Sequence, residues 1–597
     1  MFPNTWQAGR AGGGDVIAPG SHNQTYVTKI GTPRCVCRPA APRRPSTAAQ
    51  SAQTDRRFAA RVVVAAVLTM TSLAGGCGQS NRPPTCADAD TKNPTKKVKS
   101  RGTDAAGDIA AAAKPTNEYW MAAYLAGKRV GYSHTTESRV TSDGRERIRR
   151  RDFTELRLSR AGQTLTQRMT VAEESSADGG LRNVVIEIDV GGTRQVTRAT
   201  VEGPWLKITR QVGNSEPAVS SIPWQAGWGG PFATEQSLTE HPLRPGQTRT
   251  LFRFEPALEH RVTVRLTAHD YENMDLWGVP SRLLAITEEV EARPDSVIRT
   301  LLWVSDTGQV MKAEMQAMEL AMVRAPKALA LATFDPGELD LIRNTTVKLA
   351  APLPEPESLL SVTYRIALKD DNPAKVFSLG ARQRLIEQID DRTVRLQVVA
   401  AEAARDAPQE GHQVDRPTDG DKLPCPLIQS DDPRVEALAH SVDANEDDAE
   451  TVARALAALV HREIRTKDFS QAFASAAEVA KVREGDCTEH AVLLAALCRA
   501  RGVPARVAMG LVYYPPLTGF AYHMWTEAWT GEAWLPLDAT EVVGPVGPAH
   551  LKIAHSNLAT ASPLAAFLPV AQVLGQLRIE VEDAVPLGPG HRLLKRA

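Results

Sequence analysis

Apolar and polar positions alternate through much of the chain between residues 119 and 325. The run 184–190, VVIEIDV, is one instance; after its first two residues it reads as a half-buried strand. Turn signals punctuate the stretch at Gly127-Lys128, Asp143-Gly144, Ala161-Gly162, Gly191-Gly192 and Asp306-Thr307-Gly308. Antiparallel meanders with one solvated face are the simplest structure such a pattern builds. A β-rich, curved-sheet domain is therefore predicted over 116–350, and a smaller β unit over 351–404, with strands near 362–368 and 393–401. The polar, Pro- and Gly-containing stretch 405–430 reads as a linker. Past Pro433 the period changes. Asp432-Pro433 starts a helix, and Val452, Leu456, Leu459, Val460 and Ile464 share one helical face. A further helix is expected over 474–482, and another from Cys487 to Ala500, ended by Gly502 and Pro504. The predicted fold class is multidomain α+β, with antiparallel β modules first and an α+β domain over 431–597.

With 597 residues the chain is too long for one core. Its formal net charge is zero, so nothing points to nucleic acid as a partner. The charge is uneven, however: residues 1–101 carry 15 Lys/Arg against 4 Asp/Glu. That excess surrounds the apolar run 62–76, which follows Arg56, Arg57 and Arg61 and leads through Ala74-Gly75-Gly76 to Cys77. The order of charge, apolar run and small residues predicts a signal peptide over 56–77. Its end is similar to a bacterial lipobox, although Leu73 stands four places before the cysteine instead of three. The likeness implies lipidation at Cys77 and an anchored protein on the extracytoplasmic, periplasmic side of the cell envelope. A plain secretory signal is the alternative, and Arg56-Arg57 permits a twin-arginine signal. Residues 1–55 read as a disordered leader, with the true start nearer Arg56, and residues 78–115 as a flexible tether. Tyr119-Trp120 with the segment 127–132 resembles the opening of curved-sheet domains of bacterial envelope lipoproteins, and a scaffold or docking role is preferred there over a ligand pocket.

The seven cysteines contain no CxxC, so they suggest neither a disulfide framework nor a zinc ribbon. Cys487 is the exception with a chemical context. In GDCTEHA, 485–491, Asp486 and Glu489 make a capping box that sets Cys487 at the first helical position. A helix start favours the thiolate, and a neighbouring imidazolium favours it more. Two strand-like segments follow, YHMWTEAW at 522–529 and WLPLDAT at 534–540. With a turn on Gly531-Glu532, Trp529 pairs with Trp534, and His523 and Asp538 become diagonal neighbours on one face. Asp538 would then orient the imidazole. Trp525, on the same face, is the best candidate for stacking on substrate. Cys498 reads as core packing, and His550 and His555 as surface or packing residues. A zinc site on Cys487, His490 and His523 is the competing reading, weakened by the lack of a second half to the C-x-x-H spacing; no metal and no cofactor are expected.

GDCTEHA, HMWTEAW and WLPLDAT together resemble the transglutaminase-like superfamily, related to papain-type cysteine peptidases, over roughly 433–545. The resemblance implies a papain-like domain with Cys487 as nucleophile, His523 as general base and acid, and Asp538 as orienter. It implies an oxyanion donor at the Cys487 backbone N–H and names no second one. The implied activity is thiol-dependent acyl transfer on an envelope peptide or protein, hydrolysis preferred over cross-linking. The alternative is a binding or assembly protein that keeps the fold without turnover.

Overall fold

The computed structural model describes residues 115–588 apart from 143, 161, 191–192, 214–215, 294–295, 370, 401–403, 405–414, 445–447, 467–473, 541–545, 560–565, 567–568, 571 and 574. The leader, the signal segment with Cys77, and all but the end of the tether lie outside the described residues.

Fourteen strands between Asn117 and Ala325 form one sheet. The first eight pair in chain order. The remaining six run back so that the last, Leu320–Ala325, pairs antiparallel with the first, Asn117–Leu125. The local hairpins are those the turn signals predict, whereas the pairing of the earliest and latest strands joins the two meanders across about 200 residues. One helix, Ala233–Glu240, joins the meanders and buries Thr234, Glu235, Gln236, Leu238 and Thr239. Its buried polar residues are met from the sheet: Thr234 donates to Glu288 at 2.7 Å, and Arg150 donates to Gln236 at 3.0 Å.

The small β unit differs from its predicted bounds. Leu359–Leu368, Gln383–Asp390 and Thr393–Val399 form only three of its four strands; Leu577–Pro586, near the end of the chain, pairs with Leu359–Leu368 and completes it. The domain predicted over 431–597 therefore gives up its last strand, a long-range pairing that local periodicity does not carry. The predicted linker 405–430 is also partly docked. Leu427 and Ile428 are buried, and the Leu427 carbonyl accepts from Ala476 N at 2.8 Å. Its polar composition concealed these two apolar anchors.

The second half follows the helical pattern. Helices Pro433–Ala439, Ala449–Glu463, Ala476–Val482 and Cys487–Ala500 precede an antiparallel sheet built on Ala505–Tyr514 and Gly519–Trp529. His550–Ser556 flanks the first of these strands. On the other edge of Gly519–Trp529 two short strands pair at opposite ends. Val347–Lys348 meets Phe520 and Gly519, and Trp534–Leu537 meets the residues from Thr526 to Trp529. His523 lies in the gap between them.

Candidate active site

The helix Cys487–Ala500 starts as its sequence dictates. The Asp486 carboxylate accepts from Thr488 N at 2.8 Å, and Asp486 N donates to Glu489 at 3.0 Å, closing a capping box. Cys487 is the first helical residue, with only 3% of its surface exposed. The helix is pinned to the histidine strand by Thr526 Oγ1, which donates to the Ala491 carbonyl at 3.0 Å.

That strand supplies His523. Its hairpin partner has the register that a turn on Gly531-Glu532 predicts, with Trp529 opposite Trp534 and the ladder ending at Thr526 opposite Leu537. Asp538 follows at once. His523 Nε2 donates to Asp538 Oδ2 at 2.7 Å. Asp538 Oδ1 accepts from Thr540 N at 2.9 Å and Thr540 Oγ1 at 2.7 Å, which fixes the carboxylate plane. The Cys487 thiol faces the same imidazole closely enough for each to shift the other's titration. With Nε2 committed to Asp538, Nδ1 is the atom left for sulfur. The structure thus brings Cys487, His523 and Asp538 into one relay. Gly510, opposite His523 in the next strand, makes room for the Leu551 backbone and Trp525: a Cβ there would lie 2.0 Å from the Leu551 carbonyl oxygen and 3.0 Å from the Trp525 ring.

Residues 436–539 match the family model of the transglutaminase-like superfamily. The match covers less than half of the chain, so it describes this domain. No curated protein matches the chain. Among solved structures, a candidate cysteine protease from Cytophaga hutchinsonii aligns at 18% identity and TM-score 0.24 over 40% of this chain and 90% of its own. A β-barrel-like protein from Brucella abortus, of a domain of unknown function, aligns at 9% and TM-score 0.26 over 35% and 94%. A candidate protease from Parabacteroides distasonis aligns at 11% and TM-score 0.17 over 62% and 68%. All three scores are too low to carry a functional argument.

The electrostatics of the transglutaminase-like domain differ from the sequence expectation in one respect. Burial would lower His523, but the Asp538 and Cys487 charges outweigh it and hold the imidazole well above its ordinary value. Burial would raise Asp538, yet His523 and His550 hold it well below. For Cys487, burial pushes the thiol up, and His523 and Arg160 offset this only in part. The expected easy thiolate is therefore opposed by desolvation, which the sequence does not display. Cys498 sits in the core, where burial lifts its thiol to about 12.

Three other expected or missed residues fall into place. Trp525 is 3% exposed and packs with Ala508 and Val546, its ring stacked 6.3 Å from His523. It offers no stacking face to solvent, because strand alternation gives a residue's face but not its depth. His490, in the zinc alternative, binds the Asp486 carbonyl through Nδ1 at 2.6 Å. His550 corrects the surface-or-packing expectation. Its Nε2 is 3.6 Å from Asp538 Oδ2, and its ring stands edge-on to Trp525 at 5.5 Å. Burial lowers it, so it stays neutral beside the relay. Among the described residues, His523, Asp538 and His550 are the trio whose ligand atoms all lie within 4.8 Å of one another. No local motif marks His550, whose strand reaches the site from the far side of Ala505–Tyr514.

Proposed function

We propose that this protein is a thiol-dependent acyl transferase of the cell envelope, acting on peptide or amide substrates and favouring water over an amine as acceptor. The observation that carries the reading is the relay: a helix-start thiol beside an imidazole whose Nε2 is held by a carboxylate at 2.7 Å. In the first step the Sγ–H proton passes to His523 Nδ1 as sulfur attacks the substrate carbonyl carbon. The imidazolium then protonates the leaving amine as the C–N bond breaks, leaving a thioester on Cys487. Water, deprotonated by His523, attacks the thioester and releases acid and thiol; an amine in its place would give a cross-link. Asp538 holds the ring with Nε2 as donor throughout. The envelope setting rests on the sequence alone, through the apolar run, the basic flank and Cys77. Exposure of the purified protein to p-nitrophenyl acetate tests the chemistry. A burst of nitrophenol with an acetyl group on Cys487 supports it; no burst, with Cys487 unmodified, sinks it.

A second reading has its own support. The burial of Cys487 and the upward push on its thiol are what a retained fold without turnover would show. Absence of acylation together with specific retention of envelope peptides would favour this binding or assembly protein.

A further inference from the structure

Arg160 is, with Arg253, among the largest fully buried side chains of the described residues, at 1% exposure. It is the last residue of the strand Arg145–Arg160 in the fourteen-stranded sheet, directly before a hairpin turn. A hairpin tip is normally the most solvated part of a sheet. This one is covered because it reaches the transglutaminase-like domain: Arg160 Nη2 lies 2.5 Å from Asp486 Oδ2, both side chains at 1%. Asp486 is the cap of the helix that starts at Cys487, and its other oxygen accepts from Thr488 N.

The same tip is docked by a second, independent route. Ser159 forms a parallel bridge with Asp340, and Gly162 N donates to the Asp340 carboxylate at 3.4 Å. Asp340 caps the helix Leu341–Thr345, which leads into Val347–Lys348 on the edge of the histidine strand. The turn at the end of this strand therefore touches both halves of the site, the cysteine helix through Arg160 and the histidine strand through Asp340.

We propose that Arg160 is a positioning residue of the site: it balances the Asp486 carboxylate beside the nucleophile and ties the reactivity of Cys487 to docking of the large sheet. This rests on the functional reading above only in naming Cys487 the nucleophile. The charged and titratable groups around the thiol are His523 from the histidine strand, Asp486 from its own cap and Arg160 from the large sheet. Behind Asp486 stands Glu489, whose carboxyl is pushed well up by burial and by Asp486 and which accepts from Asp486 N and Ala474 N. Asp486 disfavours the thiolate and Arg160 favours it. Removing the guanidinium leaves the carboxylate unbalanced next to sulfur.

The test uses the full chain and reads iodoacetamide labelling of Cys487 across pH by peptide mass spectrometry. Arg160→Met shifts the labelling profile upward by about one unit, a tenfold slower reaction at fixed pH. Arg160→Lys restores most of it. Asp486→Asn keeps a capping side chain and shifts the profile downward, because Arg160 then acts unopposed. The double variant returns close to the wild-type profile. Kinetics on p-nitrophenyl acetate separate roles further: Arg160→Met lowers kcat with KM little changed. An Arg160→Met protein with native circular dichroism and an unshifted profile overturns the proposal. If Arg160→Met does not fold, Asp486→Asn decides: an unshifted or raised profile overturns it. Labelling does not require turnover, so a wild-type protein without esterase activity would sink the proposed function and leave this test standing.

Discussion

Asp538→Asn is the most informative single change in the relay. It alters one atom, and the surroundings decide how the new amide must lie. Thr540 N and Thr540 Oγ1 both donate to Asp538 Oδ1, at 2.9 and 2.7 Å. If the amide NH2 faced Thr540, it would meet a backbone N–H that cannot reorient, leaving buried donors unpaired at a cost of about 1–3 kcal/mol. The amide oxygen therefore takes the Thr540 side, and the NH2 faces His523 Nε2. That nitrogen must then accept, so the ring proton moves to Nδ1, the atom that should receive the proton of sulfur. The base is lost without any change in packing. By analogy with serine triads, turnover falls on the order of 10⁴-fold, or about 5.5 kcal/mol in barrier. Loss of the carboxylate charge also lowers the His523 pKa, since Asp538 is the main group holding it up. The assay is acylation by p-nitrophenyl acetate, with ¹⁵N imidazole spectra to identify the protonated nitrogen. A folded variant within about threefold of wild type, or one with its proton still on Nε2, would refute the tautomer argument.

Other consequences follow from the same geometry. His523 is held up and the Cys487 thiol is pushed up by burial, so the reactive one-proton pair forms as pH rises; kcat/KM should climb through neutrality, and iodoacetamide should label Cys487 with a midpoint above the ordinary thiol value of about 8.5. Labelling that is already rapid at pH 6 would show that burial does not govern the thiol. Cys498, lifted to about 12, should remain the slower of the two. Glu527 is buried and held down to about 2: burial alone would raise it, but Lys552 and Arg506 prevail, at 2.7 and 2.8 Å. Its folded pKa is depressed, so its stabilisation is present above the unfolded carboxylate value and lost as pH falls through about 2. With a folded value of about 2 against an unfolded value of about 4.3, Glu527→Gln should lower stability at pH 7 by about 3 kcal/mol and flatten the acid limb, read as urea midpoints; a change under about 1 kcal/mol would contradict this. In the envelope reading, Cys77→Ser should release the protein from membranes or block its processing, and a soluble wild-type protein with unmodified Cys77 would refute the anchor.

The parts of the site that were legible in the sequence are those written locally. The capping box needed only Asp486 and Glu489 three apart. The register of the hairpin needed Gly531, which has φ +97° in the turn, and the matched spacing of Trp529 and Trp534. The two meanders up to Ala325 are likewise sums of neighbouring hairpins and follow from turn spacing, while the pairing of Leu320–Ala325 with Asn117–Leu125 that joins them does not. What the sequence concealed is tertiary. The strand Leu577–Pro586 pairs with a strand more than two hundred residues earlier, and nothing in its own residues names Leu359–Leu368 as the partner. His550 and Arg160 come to the relay from separate strands, each a lone polar residue without a motif. The depth of Cys487 was also hidden, and with it the sign of the burial contribution to its thiol: a capping box gives the helix its start, and the elements packed over it give the dielectric.

The most direct test of the central claim is the covalent state of Cys487 during turnover. The wild-type protein and the Cys487→Ala and His523→Ala variants would be mixed with p-nitrophenyl acetate and with envelope peptide fractions, quenched in acid and digested for mass spectrometry. The account predicts an acyl group on Cys487 of the wild type that decays as product forms, a marked loss of that adduct in His523→Ala, and none in Cys487→Ala. A wild-type protein that releases product with Cys487 never acylated, or a Cys487→Ala variant that turns over equally well, would contradict it.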